Sequence, residues 1–353
     1  MPFIEELLNY GSLSIVGLEK NTGKTECLNY ILNRLPLNKI KVGVSSIGID
    51  GERTDQVTRS SKPEIILREG VIFTTSEKHY KQRRIVSELI DLGDEHTSLG
   101  RLITARAISK GKVMLSGPPS SLALKRWIDR LKANYNVNLC IIDGALSRLS
   151  PASPAISEAM IMTTGAALSM SVNELVNKTA FAVELIGIEK TKKQINDQLI
   201  NMSSGVWSFN SATGEFYPLY ESAFTIERSD KFIDSKQNIF HDKNLDKRLY
   251  DTIFISGALT DRLLKKISLG KDDILKEIVV RDFTKIFVAP LTYRNFIKKG
   301  GNISVQQKSN LIAICVNPVS PNGYSLDSNM ICQELETKIG LPVYDIFKYK
   351  SNS

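Results

Sequence analysis

The sequence predicts an α/β fold with a mainly parallel sheet and helices on both faces. Three observations lead to this prediction. Short apolar segments alternate with amphipathic helical patterns along most of the 353 residues, as expected for parallel strands joined by helices. Residues 11–35 place a glycine-rich turn between an apolar strand and a helix. Two proline-containing breaks, Ser116–Pro119 and Ser150–Pro154, fall just after strands, at the carboxyl ends where ligands bind in such folds.

Each element is assigned from its apolar pattern and from the turn residues that bound it. Strands are predicted near Leu13–Val16, Ile40–Ser45, Val71–Thr74, Lys112–Leu115, Leu139–Ile142, Met160–Thr163, Thr252–Ile255, Lys285–Val288, Leu311–Val316 and Leu341–Tyr344. Helices are predicted at Lys24–Leu35, Leu99–Ile108, Ser121–Ala133, Asn173–Leu185, Asp261–Ser268 and Ser328–Ile339.

Residues 203–250 depart from this pattern. Trp207–Asn210 and Glu215–Tyr217 flank a turn that contains Gly214, which predicts an antiparallel hairpin, and a polar stretch, Glu227–Arg248, follows. We therefore predict residues 1–200 as the first part of the core, 201–250 as an antiparallel or irregular insertion and 251–353 as the C-terminal part of the core. The insertion is either a partner-docking surface or lid, or a small decorated edge of the sheet.

The composition is that of an ordinary globular protein, with 42% hydrophobic and 24% charged residues. No apolar stretch approaches the length of a membrane span, and the first segment, MPFIEELLNYG, is acidic and short, unlike a signal peptide. The net charge is +8, but the basic residues are scattered and their densest group, Lys78–Arg84, has no interleaved aromatic repeat. The charge therefore does not favour a nucleic-acid partner, and an acidic protein partner accounts for it equally well.

Cysteines and histidines show no metal-binding or disulfide spacing. The residues concerned are Cys27, Cys140, Cys315, Cys332, His79, His96 and His241. We predict that the cysteines are reduced core residues of a cytoplasmic protein and that the histidines are surface residues rather than ligands.

The segment from Gly17 to Thr25 has the pattern of a phosphate-binding loop. Glycines allow backbone N–H groups to approach phosphate oxygens, and the helix that follows adds a favourable dipole. Lys24 would reach the β- and γ-phosphates, and the Thr25 hydroxyl would bind Mg²⁺. The residues predicted to bind nucleotide are Gly17, Asn21, Thr22, Gly23, Lys24, Thr25 and Glu26. The alternative is an ordinary glycine turn with Lys24 in solvent.

A carboxylate at the end of a second strand would complete such a site. Asp143 follows the apolar run Leu139–Ile142 and is predicted to hold the metal and to assist catalysis, together with Lys24; alternatively it caps the next turn. Arg148 either senses the γ-phosphate or binds an acidic substrate, or it is an exposed loop cation. The Thr163–Gly165 segment after the next strand is placed similarly and is equally ambiguous.

The loop GLEKNTGKT has five residues between Gly17 and the Gly23-Lys24 pair, where the usual phosphate loop has four. It resembles the longer loop of dethiobiotin synthetase and its relatives, a branch of P-loop NTPases that includes nitrogenase iron protein and MinD. The resemblance implies an acidic residue after the second strand at the metal and catalytic site, for which Asp50 matches and Glu52 or Asp55 are substitutes. Alternatively, the Asp50-Gly51 pair forms a simple turn. It also implies that Asn317 bonds the nucleotide base; alternatively, Asn317 belongs to a strand-end turn rich in Asn and Pro. No guanine-binding signature (Asn-Lys-x-Asp) is present, so ATP is favoured over GTP. Dimers of this branch often share active sites, so the resemblance also allows a homodimer.

Several further segments resemble a narrower family. They are SIVGLEKNTGKTECLNYIL, VGVSSIGIDGERTD, LCIIDGALSRLSPASPAISEAMIMTTGAAL, DTIFISGALTDRLL and ICVNPVSPNGYSLDS, and they are similar to the smaller reactivase subunit that accompanies adenosylcobalamin-dependent lysine or ornithine aminomutases. The resemblance implies an Mg-ATPase that works with a larger MutS-like subunit to restore an inactivated aminomutase. Because the chain has no Asp-x-His-x-x-Gly motif, any cobalamin would belong to the partner enzyme.

Two other functions remain open from the sequence. One is an ATP-dependent small-molecule ligase of the dethiobiotin-synthetase type, although the additional substrate-binding lysines of such enzymes have no evident equivalent here. The other is a regulatory module that binds nucleotide without turnover. The intact Lys24-Thr25 pair argues against the second of these.

Overall fold

Strands and helices alternate along the chain in the computed structural model, which describes residues 3–47, 65–145, 152–200, 202, 204–210, 213–228, 251–268, 277–345 and 347–348. The strands are β1 (Ser12–Gly17), β2 (Val42–Ser46), β3 (Ile65–Leu67), β4 (Ile72–Ser76), β5 (Ser87–Thr97), β6 (Gly100–Ala107), β7 (Gly111–Val113), β8 (Leu139–Ala145), β9 (Ala159–Gly165), β10 (Val206–Phe209), β11 (Phe216–Tyr220), β12 (Thr252–Ile255), β13 (Leu259–Thr260), β14 (Glu277–Val280), β15 (Ile286–Phe287), β16 (Asn302–Val305), β17 (Leu311–Asn317) and β18 (Val343–Asp345). The helices are α1 (Phe3–Leu7), α2 (Lys24–Arg34), α3 (Glu77–Lys81), α4 (Ser121–Tyr135), α5 (Val172–Ile186), α6 (Lys193–Leu199), α7 (Ala223–Arg228), α8 (Asp261–Ser268), α9 (Pro290–Lys298) and α10 (Ser328–Ile339).

A nine-stranded sheet forms the centre of the first of two units, which comprises residues up to Val183 and from Asn310 onward. Its strand order is β18-β17-β9-β1-β8-β2-β4-β6-β5. The seven strands from β18 to β4 are mutually parallel, and β6 and β5 add an antiparallel edge. The predicted α/β class with a mainly parallel sheet is confirmed.

Helices cover both faces of this sheet, as the alternation of β8 side chains illustrates. On one face Leu139 and Ile141 join a core cluster with α2 residues Cys27, Leu28 and Ile31. On the other face Cys140 and Ile142 pack with α4 residues Leu124, Trp127, Ile128 and Leu131. Strands that are buried on both faces carry continuous apolar runs, which is why β8 and β9 were recognisable from sequence.

Residues 184–309 form the second unit. It has a five-stranded sheet of order β11-β10-β12-β14-β16, in which β12, β14 and β16 are parallel. The predicted hairpin is confirmed, because β10 pairs antiparallel with β11 and Phe209 lies opposite Phe216. The predicted segments 1–200, 201–250 and 251–353 differ from this division. Strand β12 pairs with the hairpin strand β10, and β14 pairs with β12, so residues 251–309 belong to the second unit and only those from Asn310 onward belong to the first.

One predicted helix is wrong. Residues 99–108 were expected to be helical, but Gly100–Ala107 is strand β6, which pairs with β4 on one side and with β5 on the other. The sequence RLITARA fits helical spacing locally, yet its Ile-Thr pair is β-branched and suits a pleated surface. Pairing with the buried strand β4 decides the conformation, because Phe73 lies opposite Ala105.

Two predicted strands are only partly correct. Lys112–Leu115 corresponds to the short β7, which pairs with β3 outside the large sheet. Lys285–Val288 begins in a 3-10 turn over Phe283–Lys285, and only β15 within it is extended. Within the described segments, none of the helices has the length and apolar character that crossing a membrane requires.

Candidate functional site

The predicted phosphate loop lies between β1 and α2, at the carboxyl edge of the parallel strands. Gly17 ends β1 and Lys24 begins α2. Between them Asn21 has φ +61 and Gly23 has φ +91, whereas Thr22 has a negative φ. Gly23 takes a left-handed conformation at the N-cap of α2, which disfavours every residue with a Cβ. Alternation of this kind points successive N–H groups to one side and forms concave anion-binding nests.

The start of α2 offers further hydrogen-bond donors. The first N–H groups of a helix have no intrahelical acceptor, and α2 begins with the bond from the Cys27 N–H to the Gly23 carbonyl at 2.9 Å. Lys24, Thr25 and Glu26 are half-buried. Within the part of the chain that the structure describes, no hydrogen bond of the Lys24 ammonium or the Thr25 hydroxyl is found. Among the described residues, neither donor is therefore used within the chain.

The loop is tied to strands β9 and β17. Thr22 Oγ1 lies 3.0 Å from Thr163 Oγ1 and also donates to the Glu19 carbonyl at 2.9 Å. The Leu18 N–H donates to the Thr163 carbonyl at 3.0 Å, and Asn317 Nδ2 donates to the Asn21 carbonyl at 3.1 Å. The structure thus brings Asn317, Thr163 and the loop together. The Asn317 amide bonds the loop backbone, whereas the resemblance implied that it bonds the nucleotide base.

Asp143 lies on the α2 face of the neighbouring strand. Within β8 its Cα pairs with Ile15 of β1 on one side and with Ser46 of β2 on the other. Because side chains alternate along a strand, Asp143 shares the face of Leu139 and Ile141, which pack against α2. The predicted position at the strand end is corrected slightly, since β8 continues to Ala145 and Asp143 is half-buried two residues earlier.

Cys27 and Cys315 meet behind the loop. The Cys27 thiol donates to the Cys315 sulfur at 3.6 Å, and both residues are buried. That hydrogen bond, then burial, then the nearby Cys315 and the charge of Asp143 raise the pKa of Cys27 well above its usual range. The charge effect agrees with Asp143 facing α2. The predicted core positions are confirmed for Cys27, Cys140 and Cys315, whereas Cys332 is only half-buried and all four cysteines are free.

Sequence reasoning missed a buried group of polar residues at the ends of β2 and β4. This buried polar cluster consists of four hydroxyl residues and one histidine: Ser45, Ser46, Thr74, Ser116 and His79. Thr74 Oγ1 donates to Ser45 Oγ at 2.6 Å, and His79 Nδ1 lies 2.8 Å from Ser116 Oγ. The prediction of His79 as a surface residue is wrong, because its side chain is buried there. The sequence could have indicated this cluster, because both strands end in hydroxyl residues, Ser45-Ser46 in β2 and Thr74–Ser76 in β4.

Some predicted site residues lie outside the described residues. These are Asp50 with its substitutes Glu52 and Asp55, and Arg148. Among the residues that are described, no group of three or more His, Cys, Asp or Glu side chains is arranged to hold a metal.

A surface cavity of about 300 Å³ lies away from the loop, at the amino-terminal edge of the parallel strands. It is lined by Leu37, Ile40, Lys41, Gly70, Ile72 and Arg106. None of the predicted site residues is among these lining residues.

Comparison of the chain with protein-family models, with curated proteins and with solved structures finds no match. The resemblances described above therefore rest on the sequence segments quoted for them.

Proposed function

We propose that this chain binds ATP with Mg²⁺ in the loop Gly17–Thr25 and hydrolyses it. One observation carries the proposal: the left-handed residues Asn21 and Gly23 precede a helix start, at which no described residue accepts a hydrogen bond from the Lys24 ammonium or the Thr25 hydroxyl. Backbone amides, a helix dipole and an ammonium group together favour the binding of a polyphosphate.

The neighbouring oxygen donors suit Mg²⁺. Thr25 supplies a hydroxyl and Asp143 a carboxylate on the α2 face of the sheet. Mg²⁺ commonly takes one or two carboxylates, substrate phosphate oxygens and water, so a cluster of three acidic residues is not required. When bound, the metal would offset the charge of the phosphate oxygens. Asp50 remains a predicted contributor to the same site.

The chain's own residues would act mainly by positioning and by charge. In P-loop chemistry catalysis consists largely of holding the phosphates and stabilising charge as it develops. Lys24 would neutralise the β- and γ-phosphates, the loop amides would hold their oxygens, and Asp143 would orient the metal or its water. Removing the side chain of Lys24 or of Asp143 should therefore reduce ATP turnover far more than it reduces the stability of the fold.

Lys24→Ala and Asp143→Asn test the proposal. We expect both to lower ATP turnover by roughly 10²–10³-fold, measured as phosphate release with Mg²⁺, while Lys39→Ala behaves as wild type. Lys39 is an exposed lysine beyond the far end of α2, so it matches the change of charge without touching the loop. Wild-type protein that binds no nucleotide, or a Lys24→Ala variant that turns over ATP like Lys39→Ala, would overturn the proposal.

The role of this turnover is a separate part of the proposal. On the quoted resemblance, ATP hydrolysis would serve an accessory protein that acts with a MutS-like subunit on an inactivated adenosylcobalamin-dependent aminomutase. Phosphate release should then be slow for the chain alone and should rise when both partners are added. Turnover that depends instead on one small carboxylic acid would replace the accessory role with that of a ligase.

A further inference from the structure

Two strand residues, Thr163 of β9 and Asn317 of β17, form hydrogen bonds with the loop. Thr22 and Thr163 are both fully buried, and their hydroxyl oxygens lie 3.0 Å apart. A threonine hydroxyl has a single proton to donate, and Thr22 directs its proton to the Glu19 carbonyl. Thr163 must therefore be the donor between the two hydroxyls. The contact has a defined direction, from strand β9 to the loop.

Asn317 supports the residue next to Thr22. Its Nδ2 donates to the Asn21 carbonyl at 3.1 Å, and its Oδ1 accepts from the Val319 N–H at 3.0 Å. Both ends of the amide are thus engaged with backbone. Asn21 has the left-handed φ of +61, a conformation that residues with a Cβ adopt less readily than glycine, although asparagine tolerates it better than most. A contact that fixes its carbonyl helps to hold that conformation.

From these contacts we infer that Thr163 and Asn317 are positioning residues, which hold the Asn21-Thr22 peptide in its anion-binding conformation. Asn317 then serves phosphate binding rather than recognition of the base. The inference rests on the proposed function, because it concerns how the same loop binds a polyphosphate. It replaces the role that the resemblance implied for Asn317.

Inorganic tripolyphosphate separates the two roles, because it carries phosphates without a base. Calorimetric titration of Thr163→Val should show tripolyphosphate affinity roughly three- to ten-fold weaker than wild type, the equivalent of about one hydrogen bond. Thr163→Ser keeps the hydroxyl and should bind as wild type. Thr164→Val is the matched control, since Thr164 bonds Thr179 in an equally buried hydroxyl pair at 2.8 Å that does not touch the loop.

Asn317→Ala extends the same test. Tripolyphosphate and ATP should weaken by the same factor, and the ratio of ATP to GTP affinity should stay at the wild-type value. A base-reading residue would give the opposite result, with tripolyphosphate unchanged and the ratio altered, and that result would overturn the inference.

Two further outcomes also count against the inference. If Thr164→Val weakens tripolyphosphate as much as Thr163→Val does, the effect is one of core stability. If Thr163→Val binds tripolyphosphate as tightly as wild type, the hydrogen bond between Thr163 and Thr22 has no role in binding. Failure of the proposed function is distinguishable, because wild-type protein would then bind neither ATP nor tripolyphosphate.

Discussion

Replacing Gly17 with alanine should damage the loop from within. A Cβ atom at Gly17 would lie 2.5 Å from Thr22 Oγ1 and 3.0 Å from both the Glu19 carbonyl oxygen and Lys24 Cγ. Ordinary contacts of a Cβ begin near 3.4 Å, so Thr22 would have to retreat by about 1 Å. A shift of that size takes its hydrogen bonds of 2.9 and 3.0 Å beyond useful length.

The cost can be estimated from these contacts. Overpacking typically costs about 1–3 kcal/mol, and each of the two lost hydrogen bonds adds about 1 kcal/mol, which together give a loss of about 3–5 kcal/mol in the free energy of unfolding. For a unit of this size each kcal/mol lowers Tm by roughly 2–4 °C. Gly17→Ala should therefore melt roughly 6–20 °C below wild type and bind tripolyphosphate more weakly.

Tryptophan fluorescence can assign the loss to the correct unit. The chain has two tryptophans: Trp127 in the first unit and Trp207 in the second. Thermal unfolding would be followed by Trp127 in a Trp207→Phe background. Gly257→Ala is the control, since its Cβ would meet nothing closer than Ala223 at 3.9 Å. If Gly17→Ala melts within about 1 °C of wild type, the steric argument about Thr22 is refuted.

Two further predictions concern packing and pH. A Cβ at Gly117 would lie 1.5 Å from the backbone oxygen of Ser46. Because a backbone atom cannot rotate away as a side chain can, Gly117→Ala should lower the free energy of unfolding, measured with urea, by about 3 kcal/mol or more. A decrease of less than about 1 kcal/mol would contradict this close approach. Burial raises the pKa of the Cys140 thiol from 9.0 to about 12, so above pH 9 the unfolded chain loses a proton that the folded chain keeps, and the free energy of unfolding falls as pH rises. For this one group the loss between pH 8 and pH 10 is about 1.4 kcal/mol. Urea unfolding at the two pH values should show a smaller fall for Cys140→Ala, and an equal fall in both proteins would refute the assignment.

Local patterns predicted the strand, the turn and the helix of the candidate loop, because these parts are contiguous in the sequence. The apolar run of β1, the glycines and the helical spacing of α2 all fall within residues 12–34, so one short segment determined strand, turn and helix. The place of Asp143 on a parallel strand beside β1 was predictable in the same way, from an apolar run that ends in an acidic residue. The sequence could not show which face that carboxylate occupies, because the face follows from packing against α2.

Contacts between distant residues could not be predicted. Asn317 and Asn21 are 296 positions apart, and Thr22 and Thr163 are 141 apart; no local pattern of apolar or turn residues specifies such pairs. The same limit explains the error at Leu99–Ile108. A short segment whose apolar residues fit two periodicities takes the conformation that its neighbours impose, and here the neighbours are β4 and β5.

The interruption of the first unit by residues 184–309 has a consequence for synthesis. A ribosome adding roughly 5–20 residues per second would take about 6–25 s to translate that stretch. During this time β9 has been made but β17, its neighbour in the finished sheet, has not. A nascent chain therefore carries an open strand edge that other chains can pair with, and chaperones that shield such edges should raise the yield of intact protein.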